Sequence, residues 1–483
     1  MKTILLILIA TSLLLVSCGI QKKGYEVEGI YSVDGDYLSA EIQDANYGKG
    51  EIAVSWWSEF QDPVLDSLIE KARRRNLDIH VAVANFQASR ALLEGTKLDR
   101  YPAVQLNGEY LRTRLGENVF APGNNPTYST YTGSFDAFWE LDIFGRVSHR
   151  IKGTYANSQA ALADMRGVYL RIFAEVANTY LELRGNQYLL DIARRNLKGQ
   201  DETYQLTQEL SRAGTSNSLD VTRAEAQLEA TRASIPPLEA RIGALKNSLS
   251  VLVGEIPGSL GDHLAEKQPL PSLPTSVALG SMEDLLRRRP DVKRAEARLQ
   301  ERVARYNISV ANLYPSIQFG GSIGFSATDF SNFGSKESFS WSIFPSISWA
   351  AFDLGRVRKQ IKRDDALALA ALNQYEKTVL ESLEEIKTAL GNYSQELKRR
   401  EILRTSSRAS ARASTMARER FNAGLDNFID YLSADNALLQ SENALAQSEI
   451  SAATSLVAIY KALGGGWEIV SPQELEDKIG SLD

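Results

Sequence analysis

Apolar and polar residues alternate along residues 339–353. Phe339, Trp341, Ile343, Pro345, Ile347, Trp349 and Ala351 share one face, and Ser340, Ser342, Phe344, Ser346, Ser348 and Ala350 share the other. A period of two over this length predicts a β-strand with two unlike faces. A tilted strand of roughly 9–11 residues crosses a bilayer. The apolar face with its tryptophans suits lipid and its interfaces, and the small polar face suits a water-filled lumen. Residues 103–111, 131–142 and 316–326 follow the same rule. Val104, Leu106 and Tyr110 alternate with Gln105, Asn107 and Glu109; Phe135, Trp139 and Leu141 with Ser134, Asp136 and Glu140; Ile317, Phe319 and Ile323 with Gln318 and Ser322. Phe138 and Phe344 interrupt the polar faces. Any one such strand also fits a half-buried sheet of a soluble sandwich; four in an otherwise helical chain favour the membrane.

Four strands cannot close a membrane barrel, which needs about eight or more. Nor can an open sheet edge stand in lipid, where its N–H and C=O groups find no partner. The chain is therefore expected to pool strands with copies of itself, two copies giving eight strands and three giving twelve. The expected fold class is mainly α with a membrane β-barrel.

Around the strands the hydrophobic period becomes helical. Asp62-Pro63 reads as a helix start, with a break near residues 75–78 and a stop at Tyr101-Pro102. Residues 112–130, containing Pro122-Gly123-Asn124-Asn125-Pro126, read as the loop between the first two strands. Gly145-Arg146-Val147 opens a helix of about 67 residues, ~100 Å at 1.5 Å per residue, that ends at Ala213-Gly214. Its Val147, Ile151, Leu162, Met165, Tyr169, Ile172, Val176, Tyr180 and Leu183 keep coiled-coil steps. Another helix starts at Asp220 and reaches about Val253. Pro236-Pro237 is expected to kink or interrupt it, since neither residue carries an N–H.

The whole arrangement then recurs. Tyr314-Pro315 follows Tyr101-Pro102 by 213 residues, and Gly355-Arg356-Val357 follows Gly145-Arg146-Val147 by 210. Ala423-Gly424, Asp430 and Gly464 stand 210 residues after Ala213-Gly214, Asp220 and Gly254. So long a self-similarity predicts two structural repeats, residues 62–270 and 271–483. Ahead of them, residues 1–17 read as a signal peptide, with Lys2 and a short apolar core. Residues 18–61 read as a tether, fixed to the folded body by Trp56, Trp57 and Phe60. Leu15-Val16-Ser17-Cys18-Gly19 resembles a bacterial lipobox, and lipidation accounts for Cys18, the one cysteine.

The net charge of −6, with acids and bases interspersed, gives no support to nucleic-acid binding. No apolar run after the N-terminus is long enough for a membrane helix. His80, His149 and His263 lie on separate elements without ligand or triad spacing. Gly464-Gly465-Gly466 lacks the Lys-Ser/Thr of a phosphate loop and reads as a helix C-cap. Asp291 and Glu296 read as surface charges on a helix. No catalytic, metal or cofactor site is expected.

Taken together, these residues resemble the bacterial outer membrane factors, the TolC-like family, and especially its NodT-like branch of efflux lipoproteins. The resemblance rests on the lipobox at Cys18, the two Tyr-Pro dipeptides before strands and the run Leu285-Leu286-Arg287-Arg288-Arg289-Pro290-Asp291-Val292. It also rests on Ala213-Gly214 with the run from Leu219 to Gln227, and on Ala423-Gly424 with Asp430. It covers nearly the whole chain, from Cys18 to about Trp467. It implies a homotrimer whose twelve pooled strands form one outer membrane barrel, continued by a long periplasmic α-helical barrel. It implies passive conduction of cargo delivered by an inner-membrane pump and a periplasmic adaptor.

The resemblance also assigns residues. Adaptor docking falls at Ala213, Gly214, Ala423 and Gly424. The pore gate falls at Asp430, with Asp426 one helical turn before it. Ser433 stands where the family often has a second acid. Asp426 stands where some members have a basic latch residue, which argues against a salt-bridge latch. Each assignment has a plainer reading: glycine as a C-cap, Asp426 or Asn427 as an N-cap, and Asp430 as an acid favouring the helix N-terminus. Two other functions share these features: the exit duct of a type I protein secretion system, and a non-conducting coiled-coil surface lipoprotein. The second does not need four two-faced strands.

Overall fold

The computed structural model describes residues 47–48, 50, 53–114, 127–214, 217–261, 264, 268–280 and 282–469. Cys18, the signal segment and His263 lie outside them. In chain order the elements are β1 (Tyr47–Gly48), α1 (Pro63–Arg75), α2 (Leu77–Lys97), β2 (Ala103–Arg114), β3 (Thr127–Leu141), α3 (Arg146–Arg212) and α4 (Ser218–Leu252). They continue as β4 (Val277–Ala278), α5 (Met282–Arg288), α6 (Pro290–Ala311), β5 (Ser316–Ala327), β6 (Phe339–Ser348), α7 (Leu354–Asn422) and α8 (Phe428–Ala462). The chain divides into two compact units, and α3 and α7 contribute to both.

The first unit is built on Gln87–Ala161 and Ala295–Glu376 and holds an antiparallel sheet in the order β2-β3-β5-β6. Its register sorts the side chains into rows. Leu106, Phe135, Ile323 and Trp341 form one row, and Val104, Ala137, Gly321 and Ile343 the next. On the opposite face lie Gln105, Asp136, Ser322 and Ser342, then Glu140, Gln318 and Ser346. The register sets even positions of β2 against odd positions of β3, β5 and β6, so residues of like chemistry share a face, with Phe138 and Phe344 among the exceptions; a slip by one residue would mix the faces. β2 and β6 are the sheet's edges, without a further partner strand among the described residues.

Strand limits differ from the sequence expectation. β2 and β3 run on to Arg114 and back to Thr127, because their pairing continues that far, and the loop between them is shorter. β6 stops at Ser348 rather than 353, since its partner β5 begins at Ser316, opposite Ser348. Beyond it Trp349 turns its indole Nε1–H to the carbonyl of Leu313 at 2.9 Å. Trp139, 210 residues earlier, donates in the same way to Arg100 at 2.9 Å. Each acceptor immediately precedes a Tyr-Pro dipeptide, so each tryptophan ties the end of one strand to the entry of its neighbour. An indole that is apolar in body and polar at the tip suits a water–lipid boundary.

The second unit comprises the described parts of residues 31–86, 162–294 and 377–483. Trp56, Trp57 and Phe60 are buried there as expected. Trp56 stacks on Tyr460 with centroids 5.2 Å apart, and Trp57 meets Phe173 edge-on at 5.2 Å. β1 and β4 add a two-residue parallel pair that the sequence did not announce. α4 passes through Pro236 and Pro237 without the interruption that was one of the two expected outcomes. The carbonyls that lose partners belong to Arg232 and Ala233, both exposed, so water replaces the missing N–H groups. α4 and α8 are both 35 residues long, and each boundary of α8 is that of α4 moved on by 210 residues. Among the described residues no helix is long and apolar enough to cross a membrane.

Candidate functional site

Two helix-to-helix turns carry the candidate residues, one between α3 and α4 and one between α7 and α8, and both belong to the second unit. α7 ends in a Schellman closure. The Gly424 N–H bonds the Phe421 carbonyl at 2.9 Å, and the Leu425 N–H bonds the Arg420 carbonyl at 2.9 Å. This geometry needs a left-handed residue, and Gly424 sits at φ 73°, which a Cβ disfavours. Gly214 takes the same role at φ 77°, with its N–H on Ser211 at 3.0 Å. Around neither glycine would an added Cβ meet any atom within 4 Å. Both turns thus present backbone to open space.

The α7–α8 turn is tied by a pair that the sequence reading did not consider. Arg420 donates to Asp426 twice, Nε to Oδ2 at 2.6 Å and Nη2 to Oδ1 at 2.8 Å. Asp426 was expected one helical turn before Asp430; it lies in the loop, because α8 begins only at Phe428. From there its carboxylate faces back toward Arg420 in the last turn of α7. The hydrogen bond from Arg420 holds the Asp426 carboxyl below its ordinary pKa. The cap of α8 is Asn427, whose Oδ1 accepts from the Asp430 N–H at 3.0 Å. Its counterpart Asn217 caps α4 through the Asp220 N–H at 2.9 Å. Asp430 is exposed and makes no ion pair among the described residues, whereas Asp220 lies 3.6 Å from Arg223. The two repeat positions are therefore alike in backbone and unlike in ion pairing.

Behind the turns lies a cluster of Ala224, Phe428 and Tyr431, flanked by Tyr204, Ala417, Phe421 and Leu432. Phe421 stacks on Tyr431 at 5.8 Å and 11°. One turn deeper is a polar group the sequence reading missed. Asp435 accepts from Gln200 Nε2 at 3.4 Å and from Ser414 Oγ at 3.5 Å. Gln200 and Ser414 are buried, and burial pushes the Asp435 carboxyl above its ordinary pKa. Three helices, α3, α7 and α8, thus share one carboxylate. The available signal was its heptad position, three residues after Leu432 in a seam that continues to Leu439.

Asp291 also departs from expectation. It is not simply a surface charge but holds Arg289, which is 6% exposed. Arg289 contacts Asp291 at 2.7 Å, Glu385 at 2.6 Å and the Ala462 carbonyl at 2.5 Å. Burial disfavours its charge, but the two carboxylates outweigh that and raise its pKa. The Arg-Arg-Pro-Asp run thereby joins α6, α7 and α8. Arg184, fully buried, is held by the Tyr180 hydroxyl at 3.0 Å, which itself donates to Asp62 at 2.6 Å. Among the described residues no group of three or more His, Cys, Asp or Glu could hold a metal ion.

Comparison with known proteins is consistent along the chain. The family model described as outer membrane efflux protein matches residues 68–255 and 282–465. The probable efflux pump outer membrane protein TtgC of Pseudomonas putida is 29% identical over 441 residues, 89% of this chain and 87% of that protein. Nodulation protein T of Rhizobium leguminosarum bv. trifolii is 26% identical over 86% of this chain and 89% of its own length. Among solved structures, the outer-membrane channel OprN superposes with a TM-score of 0.83 at 37% identity, covering 88% of this chain and 96% of its own. The Campylobacter jejuni CmeC channel has a TM-score of 0.84 at 19% identity, covering 96% and 98%, and shares the fold.

Proposed function

The chain belongs to the outer membrane efflux protein family, and from that premise we propose how it conducts. It is the outer membrane channel of an efflux system, carrying small molecules out of the cell. Three copies pool their strands into a twelve-stranded barrel, with β6 of each chain beside β2 of the next. The observation that carries this reading is the sheet itself: one face apolar, one face polar, and two edges that lipid would leave without partners. α3, α4, α7 and α8 continue the barrel as an α-helical duct in the periplasm, two helix pairs per chain from the two repeats. A periplasmic adaptor and an inner-membrane pump load this duct, and conduction through it is passive. Relatives named for toluene, solvent and antibiotic efflux point to small organic cargo.

Cys18 carries the lipid that anchors the N-terminus, since two or more acyl chains hold a protein stably at a membrane where one is marginal. Mass spectrometry of the mature N-terminus should find an acylated Cys18; an intact Met1 would overturn the anchor. Adaptor tips seat at Ala213, Gly214, Ala423 and Gly424, where backbone faces open space. Gly424→Asn separates docking from capping, because Asn tolerates the left-handed region. Efflux should fall while the melting temperature holds. The channel as a whole is tested in planar bilayers: stepwise conductance from a particle of three chains is expected, and a non-conducting monomer of full β content would refute it.

A further inference from the structure

The start of α7 carries a basic surface that the duct does not use, and we propose that it binds anionic phospholipid headgroups of the leaflet facing the periplasm. This rests on the outer membrane channel reading above. Within the eight positions 356–363, in the first turns of α7, stand Arg356, Arg358, Lys359, Lys362 and Arg363, all exposed. Arg356 pairs with Asp353 at 2.9 Å, and Arg363 with Asp364 at 2.9 Å. Arg358, Lys359 and Lys362 have no ion-pair or hydrogen-bond partner among the described residues. At 3.6 residues per turn the five bases span roughly 160° of helix surface. Val357, Asp364 and Ala368, which are buried, lie on the opposite side. The bases therefore cover the face that α7 turns away from its own subunit's core.

This placement opposes the helix macrodipole, which favours acids in the first turns and disfavours cations there. Helix stability does not explain it, and an external anion would. The corresponding start of α3 makes the contrast. There Arg146 pairs with Glu140 at 2.7 Å and Arg150 with Asp99 at 3.0 Å. Ser148, His149 and Gly153 stand where α7 has Arg358, Lys359 and Arg363, while Lys152 matches Lys362. The extra bases of α7 directly follow two exposed aromatics, Trp349 and Phe352, the latter wholly uncovered. An apolar ring in the hydrocarbon boundary followed within two turns by unpaired cations is the sequence of chemistries met on leaving a bilayer. Beside it, a cleft of about 400 Å³ between α6 and α7 is lined by Arg302, Arg305 and Arg363 with Asp364 and Ser309 over Ile308 and Leu367. Asp364 offsets Arg363, but Arg302 and Arg305 share a single carboxylate, Glu301, so the cleft keeps a net positive charge beside the surface.

The full-length protein is reconstituted in phosphatidylcholine containing either brominated phosphatidylglycerol or brominated phosphatidylcholine, and quenching of tryptophan fluorescence gives the relative affinity of the two lipids. A severalfold preference for phosphatidylglycerol is expected at low salt, falling toward one at high salt. The triple variant Arg358→Gln, Lys359→Gln, Lys362→Gln should lose most of the preference. A wild-type ratio near one, or an unchanged ratio in the triple variant, overturns the proposal and leaves the surface to an acidic protein partner or a neighbouring subunit. Conductance recorded from the same vesicles keeps the two readings apart. A conducting protein without lipid preference refutes the headgroup site alone, while a non-conducting one refutes the channel.

Discussion

Phe138 and Phe344 meet over Gly320. They are two strands apart, each pairs with Gly320 in the β3–β5–β6 register, and their rings lie 6.0 Å apart at 63°. Both are the odd apolar residue on a polar face. A sequence pattern sees each as a local defect, whereas the sheet makes them one edge-to-face pair, worth about 0.5–1.5 kcal/mol beyond burial. The pair is possible because β5 offers no side chain between them.

Gly320→Val should therefore be costly. A Cβ there runs into the Phe344 ring, and overpacking of this kind costs about 1–3 kcal/mol. Thermal melting in detergent should register the loss. Adding Phe344→Ala should restore much of it; if it does not, the backbone of β5 rather than the ring is what tolerates no side chain.

The lipid-facing row gives a second expectation. Ile343 and Ser342 are neighbours in β6 on opposite faces of the sheet. Ile343→Arg should cost roughly 2–4 kcal/mol near the bilayer midplane, and Ser342→Asn close to nothing. Refolding equilibria in lipid vesicles measure both, and equal costs would refute the assignment of one face to lipid and the other to water.

Asp435 predicts a pH dependence. Its folded pKa lies above the ordinary value of 3.8 because burial disfavours the carboxylate. The folded state thus holds the proton more tightly than the unfolded state. This contribution to stability is fully present below the ordinary pKa and is lost as pH rises through the raised one. Asp435→Asn keeps the shape and removes the titration, so it should melt higher than the natural protein at neutral pH. The difference should shrink on acidification. Melting curves taken between mildly acidic and neutral pH decide the matter, and a pH-independent difference would exclude Asp435 as the source.

The sequence revealed what is periodic and hid what depends on a partner element. Alternation located all four strands of the larger sheet, and the 210-residue offset anticipated Gly214 with Gly424 and the equal lengths of α4 and α8. It could not place the end of β6, which is set by where β5 begins. Nor could it foresee that α4 runs uninterrupted through Pro236 and Pro237, where exposure of Arg232 and Ala233 lets water replace two hydrogen bonds. At the turn, the sequence singled out the stretch from Phe421 to Asp435. The roles within it were not legible, because Asp426 reaches back to Arg420 rather than forward along α8. Asp435 looked like one more polar residue until three helices closed around it.

Asp430 remains the residue on which capping and gating must be separated. Its backbone N–H is already taken by Asn427, so the hydrogen-bonding part of the cap belongs to Asn427. Asn427→Ala should cost about 1 kcal/mol of stability and leave ion preference alone. The Asp430 carboxylate can act on the helix only through the dipole, worth about 0.3–1 kcal/mol when exposed. It has no ion partner of its own among the described residues, unlike Asp426, which Arg420 neutralises. Three such carboxylates around the axis of a trimer would favour cations at the mouth and repel one another. Asp430→Asn should then shift single-channel cation preference while changing the melting temperature little. Asp426→Asn should do the reverse, loosening the turn by losing Arg420 and leaving selectivity nearly unchanged. If both variants alter stability and neither alters conduction, the turn is a structural closure and the gate lies elsewhere along the duct.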